Sequence, residues 1–315
     1  MNVHPIAVLG ENLVDLLVSR DGTVNAVIGG GPLNVARTIA RLGTPAHFIS
    51  GVSSDAFGAL VREALRESAV HLALDEPRNE PTTLAVVELD PAGPRYHFHL
   101  NDTAAFTVDA AALSLALGRV AHWSAIYVGT LGLLVEPMAS LGESVVTNAA
   151  RDTLIMVDPN CRPSAVRDAA GYRARVARVC ARADVVKVST EDLDFLYPRL
   201  THDEGVDQIL GLGARCVILT DGPAPVRAMT ARCQVSVTVA PTDVVDTVGA
   251  GDALVGGFLT WWTGHDLHRD ELDDATTLAA AVTAATDVAR LTCERAGAQP
   301  PWRGEVTALE SWRWL

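Results

Sequence analysis

The stretch Asp246-Thr-Val-Gly-Ala-Gly-Asp252 is the most informative part of this 315-residue chain. The largely apolar run 253–261 follows it, so the pattern predicts a loop that opens into a buried helix. Gly249, Ala250 and Gly251 carry little or no side chain, so their backbone N–H groups can approach a ligand at the positive end of the helix dipole. The stretch therefore predicts an anion hole.

Asp252 closes this stretch and places a carboxylate beside the predicted anion hole. A carboxylate is favourable in the first turn of a helix, but a bound phosphate would repel it. The placement makes sense if Asp252 accepts the proton of a hydroxyl that attacks a phosphoryl group. The alternative is a glycine-rich helix start in which Asp252 only complements the dipole. The stretch matches neither the GK[ST] phosphate loop nor the GxGxxG fingerprint.

A second glycine cluster, Ile28-Gly-Gly-Gly-Pro-Leu-Asn34, leads into a predicted helix that Gly43 ends. Gly30 and Gly31 would let a ligand lie against bare backbone, and Asn34 can both donate to and accept from hydroxyls. The alternative is a tight turn between a strand and a helix.

Short apolar runs alternate with amphipathic segments along the chain, which indicates an α/β fold with a doubly wound parallel sheet. The amphipathic segments include 56–67 and 172–182. Ligands of such sheets bind at the carboxyl ends of the strands. The predicted strands are 6–10, 46–51, 125–129, 154–158, 185–189 and 216–220.

Two stretches, 13–28 and 82–100, depart from this pattern because they alternate in polarity and contain turn sequences at 20–22 and 90–93. We predict that both form hairpins, which pair into one small sheet that covers the ligand site as a lid. No linker or repeat divides the chain. We therefore predict one domain, 1–315, with lid strands from about 11–29 and 81–103.

The composition excludes several classes of protein. A formal net charge of −13 disfavours binding to nucleic acid or to an anionic membrane. The five cysteines are scattered singly, so neither a zinc site nor a disulfide framework is indicated. Charges and glycines interrupt every apolar run before it could span a bilayer, and the N-terminal residues lack the pattern of a signal peptide. We expect a soluble cytoplasmic protein.

Three segments together resemble the PfkB/ribokinase family of carbohydrate kinases, over essentially the whole chain. Residues 246–252 match the family's carboxy-terminal motif, and Gly30-Gly-Pro-Leu-Asn34 is similar to its amino-terminal motif. Glu294-Arg-Ala-Gly-Ala-Gln-Pro300 resembles the closing turn beside the adenine and monovalent-cation sites. The resemblance implies a three-layer α/β/α domain with a small β-sheet lid, and ATP-dependent transfer of a phosphoryl group to a sugar.

The resemblance also implies roles for individual residues. Asp252 would be the base, and the amides of Gly249, Ala250 and Gly251 would hold the transferred phosphoryl group. Asp15 is expected to bind the sugar, and the alternative interpretation is an exposed carboxylate on the lid. The residues expected to bind the sugar are Asp15, Gly30, Gly31, Asn34 and Arg162.

On the nucleotide side, Lys187-Val-Ser-Thr-Glu-Asp192 lies where the family has an Asn-x-x-Glu element that organises magnesium waters. Ser189 and Asp192 replace the Asn and the Glu. Asp192 is expected to hold Mg²⁺ through water, with Glu191 as a substitute and a solvated helix face as the alternative. Thr220-Asp-Gly222 resembles the nucleotide-phosphate turn without its usual second glycine. The residues expected to bind ATP are Lys187, Ser189, Thr220, Gly222 and Gly251.

Asp246, with the carbonyl groups of Val248 and Gly297, resembles the site that takes a potassium-like ion in many family members. A helix cap is the competing interpretation of Asp246.

Two segments, Gly10-Glu-Asn-Leu-Val-Asp15 and Asp158-Pro-Asn-Cys-Arg-Pro163, look more like the fructokinase and 2-keto-3-deoxygluconate kinase branch than ribokinase. The Asp15 carboxylate fits a neutral polyol because it accepts from adjacent hydroxyls, whereas an acidic sugar would need Arg95 or Arg162 nearby. Both arginines could equally lie on the surface.

Other functions remain open at this stage. A nucleoside kinase of the adenosine or inosine type and a ribokinase would share the fold. A catalytically idle sugar- or nucleotide-binding protein is disfavoured because a binder of neutral sugar needs no base. An oxidoreductase is disfavoured because the first strand ends in Gly10-Glu-Asn rather than GxGxxG. Exposed lid strands could pair between two chains and form a homodimer.

Overall fold

The computed structural model describes residues 4–88 and 95–313, so the predicted turn at 90–93 lies outside the described residues. The strands are β1 (Ile6–Leu9), β2 (Leu13–Val18), β3 (Val24–Gly29), β4 (Ala46–Ile49), β5 (His71–Leu72), β6 (Leu84–Glu88), β7 (Arg95–His99), β8 (Ala125–Gly129), β9 (Leu154–Asp158), β10 (Val185–Ser189), β11 (Cys216–Thr220), β12 (Val226–Thr230) and β13 (Gln234–Val237).

The α-helices are α1 (Gly31–Arg41), α2 (Ala56–Glu67), α3 (Ala110–Gly118), α4 (Met138–Asn148), α5 (Ala169–Cys180), α6 (Thr190–Leu196), α7 (His202–Leu212), α8 (Ala250–Gly264), α9 (Ala275–Cys293) and α10 (Arg303–Val306). Short 3-10 turns occur at Ala104–Phe106, Thr130–Leu133, Pro163–Ala165, Arg269–Asp273 and Glu310–Trp312.

A nine-stranded sheet forms the centre of the fold, in the order β13-β12-β11-β10-β9-β8-β1-β4-β5. Its strands are parallel from β5 through β11, and β12 and β13 add antiparallel at one edge. All six strands predicted from apolar runs are present. The runs did not reveal β5, β12 and β13, because β5 has two residues and β13 is half exposed, so neither is a continuous apolar run.

The side chains of β1 show how the sheet separates two helical layers. Ile6 and Val8 pack into the hydrophobic cluster that includes α1, α8 and α9. Ala7 and Leu9 point the other way, into the cluster that includes α4, α5 and α7. This alternation follows from the two-residue repeat of a strand. The result is the predicted three-layer α/β/α arrangement.

A separate four-stranded sheet has the order β3-β2-β6-β7. The hairpins β2–β3 and β6–β7 are antiparallel, and β2 joins β6 in parallel. The two alternating stretches therefore pair into one small sheet, as predicted. We call β2, β3, β6 and β7 the small sheet below.

Helices α8 and α5 both begin near the carboxyl ends of the strands. The helix α8 begins after Gly249, whose φ of 79° lies in the left-handed region that favours glycine. Helix α5 begins at Ala169, three residues before the start at 172 that the sequence predicts. The Asp168 side chain accepts the Gly171 N–H and so caps the helix at this earlier position. Within 4–88 and 95–313, no helix is both long and apolar enough to cross a bilayer.

Candidate active site

One cavity of about 950 Å³ runs along the carboxyl ends of the central strands and reaches the small sheet. It brings together nearly all the residues that the sequence predicts for sugar, phosphate and nucleotide. The predicted residues that line it are Asp15, Gly30, Gly31, Asn34, Arg162, Lys187, Ser189, Thr220, Gly222, Val248, Gly249, Ala250, Gly251 and Asp252. Four predicted residues do not line it, namely Glu191, Asp192, Asp246 and Gly297.

Asp252 lies in the first turn of α8 and is 7% exposed. Its Oδ2 accepts a hydrogen bond of 2.9 Å from Asn34 Nδ2, whereas its Oδ1 has no hydrogen-bond partner among the described residues. Burial raises the pKa of Asp252, and the Asn34 hydrogen bond and the charges of Lys187 and Arg162 oppose that rise. One carboxylate oxygen is therefore held in place and the other is available to a ligand.

The backbone at the start of α8 presents N–H groups to the cavity, but not all three that the sequence suggests. Ala250 N–H already donates to the Thr247 carbonyl at 3.2 Å. The N–H groups of Gly249 and Gly251 have no such backbone partner in the described part of the chain. The predicted anion hole would therefore rest on the N–H groups of the two glycines and on the helix dipole.

Lys187, one of the residues predicted to bind ATP, supplies a positive charge beside the predicted phosphate site. It is 5% exposed, and its Nζ lies 3.3 Å from Asp158 Oδ2. Burial lowers the pKa of Lys187, but the nearby carboxylates outweigh burial and raise the pKa overall. A Cβ on Gly251 would lie 3.1 Å from Lys187 Nζ, so this ammonium group borders the glycine amides. A protonated lysine therefore lies beside the predicted anion hole.

On the sugar side, Asp15 extends from β2 towards the cavity. Burial raises the pKa of Asp15 to about 6, and the charge of Arg162 counteracts that rise. A Cβ on Gly29 would lie 2.3 Å from Asp15 Oδ2, so a side chain at this position would displace the Asp15 carboxylate. Gly31 brings bare backbone close to Asp252, since a Cβ on it would lie 3.2 Å from Asp252 Oδ1.

Sequence reasoning missed several polar residues that line the same cavity, among them Glu11, Thr130 and Asn160. Thr130 and Asn160 have φ angles of 54° and 39°, which are unusual for residues other than glycine, and Asn160 Nδ2 donates to Thr130 Oγ1 at 3.3 Å. Glu11 is fully buried, accepts the Gly132 N–H at 2.9 Å, and has a pKa raised to about 8 by burial. Glu11 and Asn160 lie inside 10–15 and 158–163, the two segments that resemble the fructokinase branch, and this resemblance was the available signal.

The two acidic residues predicted to hold magnesium waters have different surroundings. Glu191 is exposed in the first turn of α6. Asp192 is 3% exposed, and both its oxygens accept donors of the protein itself, from Cys161 and Ser189. The contact of Asp192 with a magnesium-bound water stays a prediction, and Glu191 is the one that is free to make it.

The loop predicted to hold a monovalent cation is organised by Asp246. Its Oδ1 accepts the Val248 N–H at 3.0 Å, and its Oδ2 accepts the Gly297 N–H at 2.8 Å. The Gly297 carbonyl already accepts the Gln299 N–H at 2.8 Å. Asp246 does not cap α8, whose cap residue is Gly249. The Asp246 carboxylate therefore lies beside Val248 and Gly297, whose carbonyl groups are predicted to bind the ion. The ion itself stays a prediction.

The far end of the cavity has a different character. Thr220 and Gly222 line it, and Gly222 adopts a φ of 49° with open space where a Cβ would point. Beyond them the wall is apolar, formed by Val226, Val239, Ala240, Pro241 and Ala289. A ligand with a flat heterocycle joined to phosphates fits this end of the cavity, with its phosphates at Thr220 and Gly222 and its heterocycle against the apolar wall.

Residues 6–303 match the family described as pfkB family carbohydrate kinase. A fructokinase of Rhizobium leguminosarum bv. trifolii is 33% identical over 255 residues, which cover 79% of this chain and 77% of the relative. A fructokinase of Klebsiella pneumoniae is 34% identical over 273 residues, with 83% and 85% covered.

Solved structures agree with this assignment. A fructokinase with bound ATP from Xylella fastidiosa superimposes with a TM-score of 0.86 at 25% identity, covering 97% of each chain. The fold is also that of an aminoimidazole riboside kinase from Salmonella enterica, with a TM-score of 0.81, 23% identity and coverage of 96% and 99%. Asp252, the glycine amides before α8 and the buried Lys187 share one cavity. The chain belongs to the pfkB family of carbohydrate kinases and is an ATP-dependent sugar kinase.

Proposed function

We propose that the protein phosphorylates fructose, with Asp252 as the base that takes the proton of the attacking hydroxyl. The observation that carries the proposal is the carboxylate of Asp252, which has one oxygen held by Asn34 and the other free towards the cavity. The fructokinases among its relatives support fructose as the substrate.

The acceptor sugar binds between Asp15 on the small sheet and the bare backbone of Gly30 and Gly31. An ionised Asp15 accepts hydrogen bonds from adjacent hydroxyls, and Arg162, which lines the same cavity, helps to keep it ionised. This arrangement suits a neutral polyol and directs one primary hydroxyl towards Asp252. Proximity of that hydroxyl to the base accounts for much of the rate.

The phosphoryl group is held on the other side of Asp252. The N–H groups of Gly249 and Gly251 donate to its oxygens, and Lys187 places a positive charge beside them. Asp252 removes the proton as the hydroxyl oxygen bonds to the γ-phosphorus and the bond from that phosphorus to the β-phosphate bridging oxygen breaks. ADP leaves with the electron pair of that bond.

ATP lies across Thr220 and Gly222, with its base against the apolar wall at the far end of the cavity. Magnesium, which neutralises charge on the phosphates when bound, fits a site of water-mediated contacts, since no group of three metal-binding side chains exists within the described residues. Glu191 is the residue we propose for those waters. Asp246 and its two neighbouring segments would hold a potassium-like ion.

We further propose that the small sheet closes over the sugar as a lid, which would keep water away from ATP. Its outer strands β3 and β7 each leave one edge unpaired within that sheet, so two chains could join there as a homodimer. Size-exclusion chromatography with light scattering tests the dimer. A cytoplasmic location would fit the substrates of the reaction.

The substrate is tested by an assay that couples ADP release to a colour change, with ATP and magnesium present. We expect turnover with fructose and little or none with ribose, adenosine, inosine or sugar phosphates. Turnover with 2-keto-3-deoxygluconate in place of fructose would keep the kinase and replace the sugar. If adenosine or inosine were the only active acceptor, the fructose assignment would be wrong.

A further inference from the structure

The two neighbouring strands β9 and β10 separate near the active site. Their ladder stops at the pairs Val185–Met156 and Val186–Val157. On either side, β8 pairs with β9 as far as Asp158, and β10 pairs with β11 as far as Ser189. The sheet is therefore open between the ends of β9 and β10, where no backbone hydrogen bond joins the two strands.

This gap separates the two halves of the proposed site. The loop after β9 carries Asn160 and Arg162, which line the sugar side of the cavity, and β10 carries Lys187 and Ser189 on the phosphate side. Their relative position sets the distance between the hydroxyl and the phosphoryl group. Backbone pairing does not fix this distance, so side chains have to do so.

Asp192 bridges the gap with one carboxylate. Its Oδ1 accepts the Cys161 N–H at 2.6 Å, on the β9 side. Its Oδ2 accepts the Ser189 N–H at 2.8 Å and the Ser189 hydroxyl at 3.0 Å, on the β10 side. Hydrogen bonds to an ionised acceptor are about twice as strong as neutral ones, and burial shields these from water.

Other contacts hold the loop after β9, among them Asn160 Nδ2 to Thr130 Oγ1 at 3.3 Å and the Tyr172 hydroxyl to Cys161 Sγ at 3.7 Å. Asp158 Oδ1 accepts the Asn160 N–H at 3.1 Å, and the Tyr172 hydroxyl donates to the Pro159 carbonyl at 3.2 Å. Arg162 donates three hydrogen bonds, all of them back to its own loop, at Asn160 and Cys161. The ion pair between Lys187 Nζ and Asp158 Oδ2, at 3.3 Å, also crosses the gap, but it joins the two strand ends. Among the described residues, the Asp192 contact is the one hydrogen bond that ties the Cys161 N–H to the phosphate-binding strand.

We infer that Asp192 is a positioning residue, which fixes the sugar-binding loop at Asn160 to Arg162 relative to the phosphate-binding strand end at Lys187 to Ser189. The inference rests on the proposed function for the roles of these residues. The hydrogen-bonded link that Asp192 makes between the loop and the strand rests on the geometry alone. It gives Asp192 a task different from the magnesium contact that the sequence pattern predicts.

The variant Asp192→Asn tests the link, because an amide has a single acceptor oxygen and cannot serve donors on both sides of the gap. Asp194→Asn, on the same helix but 70% exposed at its side chain, makes the same chemical change as a control. Hydrogen exchange is measured on the ligand-free proteins without magnesium. We expect the amides of the 159–163 loop or of Ser189 to exchange at least about tenfold faster in Asp192→Asn alone.

Kinetics then separate the two roles of Asp192. A positioning role predicts that Asp192→Asn raises the KM for the sugar by about tenfold, with the magnesium concentration for half-maximal rate unchanged. Unchanged exchange at both segments, or a higher magnesium requirement with a normal sugar KM, would overturn the inference. If wild type phosphorylates no sugar, the proposed function fails while the exchange measurement still decides the link.

A second variant covers the case in which Asp192→Asn does not fold. Ser189→Ala keeps the carboxylate but removes the hydroxyl that donates to it and caps α6. We expect a smaller, severalfold increase in exchange of the Cys161 amide, since Asp192 then loses one of its donors. No change at Cys161 in a folded Ser189→Ala would count against the link.

Discussion

Asn34 Nδ2 lies 2.9 Å from Asp252 Oδ2, although 218 positions of chain separate the two residues. Helices α1 and α8 cross closely enough to allow this contact, because Gly256 meets Thr38 where any Cβ would come within 2.5 Å. The contact fixes the rotamer of the proposed base and ties the first glycine cluster to the second. The two motifs therefore act as one unit.

Removing this contact should change the pH dependence of turnover. The Asn34 hydrogen bond favours the ionised form of Asp252 and so keeps its pKa lower than burial alone would. In Asn34→Ala the pKa of Asp252 rises, and the base is protonated at a higher pH. We expect the acid limb of kcat to shift upwards in a pH–rate profile at saturating sugar. A limb at its original position would show that Asn34 does not act on the base.

The affinity for sugar should depend on pH through a different carboxylate. Asp15 has a pKa raised to about 6 by burial, and only its ionised form accepts two hydroxyl hydrogen bonds. The KM for sugar should therefore rise as the pH falls through about 6. Asp15→Asn should have a high KM at every pH, measured from pH 5 to 8. A KM in wild type that stays constant over this range would argue against a sugar contact by Asp15.

The bulk of the fold follows from the sequence, because its central strands are buried on both faces. Such strands tend to be continuous apolar runs, as Ile6–Leu9 and Ala125–Gly129 are. Edge strands need no such run, since one side or face meets water, and Gln234–Val237 shows only half-buried alternation. The hairpins of the small sheet could be predicted, because alternation with a two-residue period can be recognised within a single strand.

The site could be predicted where its chemistry resides in a local motif. The loop before α8 needs small residues at adjacent positions, and this leaves a mark in the sequence. Thr130 leaves none, and Asn160 leaves none beyond the resemblance of its segment, because both adopt left-handed backbone angles that tertiary contacts impose. The burial that keeps Asp192 from the cavity likewise depends on Cys161, which lies 31 positions away.

A side chain at Gly251 should weaken ATP binding. A Cβ there would lie 3.1 Å from Lys187 Nζ, so Gly251→Ala pushes the ammonium group away from the phosphate site. We expect the Kd for ATP to rise, measured by isothermal titration calorimetry. Gly211→Ala is the matched control, because nothing lies within 4 Å of a Cβ there. Equal affinity in the two variants would contradict the placement of the phosphates.

Glu11 should make the stability of the protein depend on pH. Its pKa is raised from 4.5 to about 8 in the folded chain, so folding favours the protonated form. The contribution of Glu11 to stability is therefore present below pH 4.5 and is lost as the pH rises towards 8.

Glu11→Gln keeps the shape and a neutral acceptor for the Gly132 N–H, but it cannot ionise. We expect its melting temperature to exceed that of wild type by a margin that grows between pH 5 and 8. Calorimetric melting of both proteins across this range is the measurement. A constant difference would mean that the pKa of Glu11 is not raised in the folded state.

The central claim is that Asp252 is the base of a sugar kinase, and Asp252→Asn tests it most directly. The change is isosteric and keeps an acceptor for Asn34, so fold and ATP affinity should persist, as they should in the exposed control Asp21→Asn. ADP release with fructose, ATP and magnesium should fall by about a hundredfold or more in Asp252→Asn alone. Near-normal turnover in Asp252→Asn, with sugar and ATP bound as in wild type, would contradict the claim.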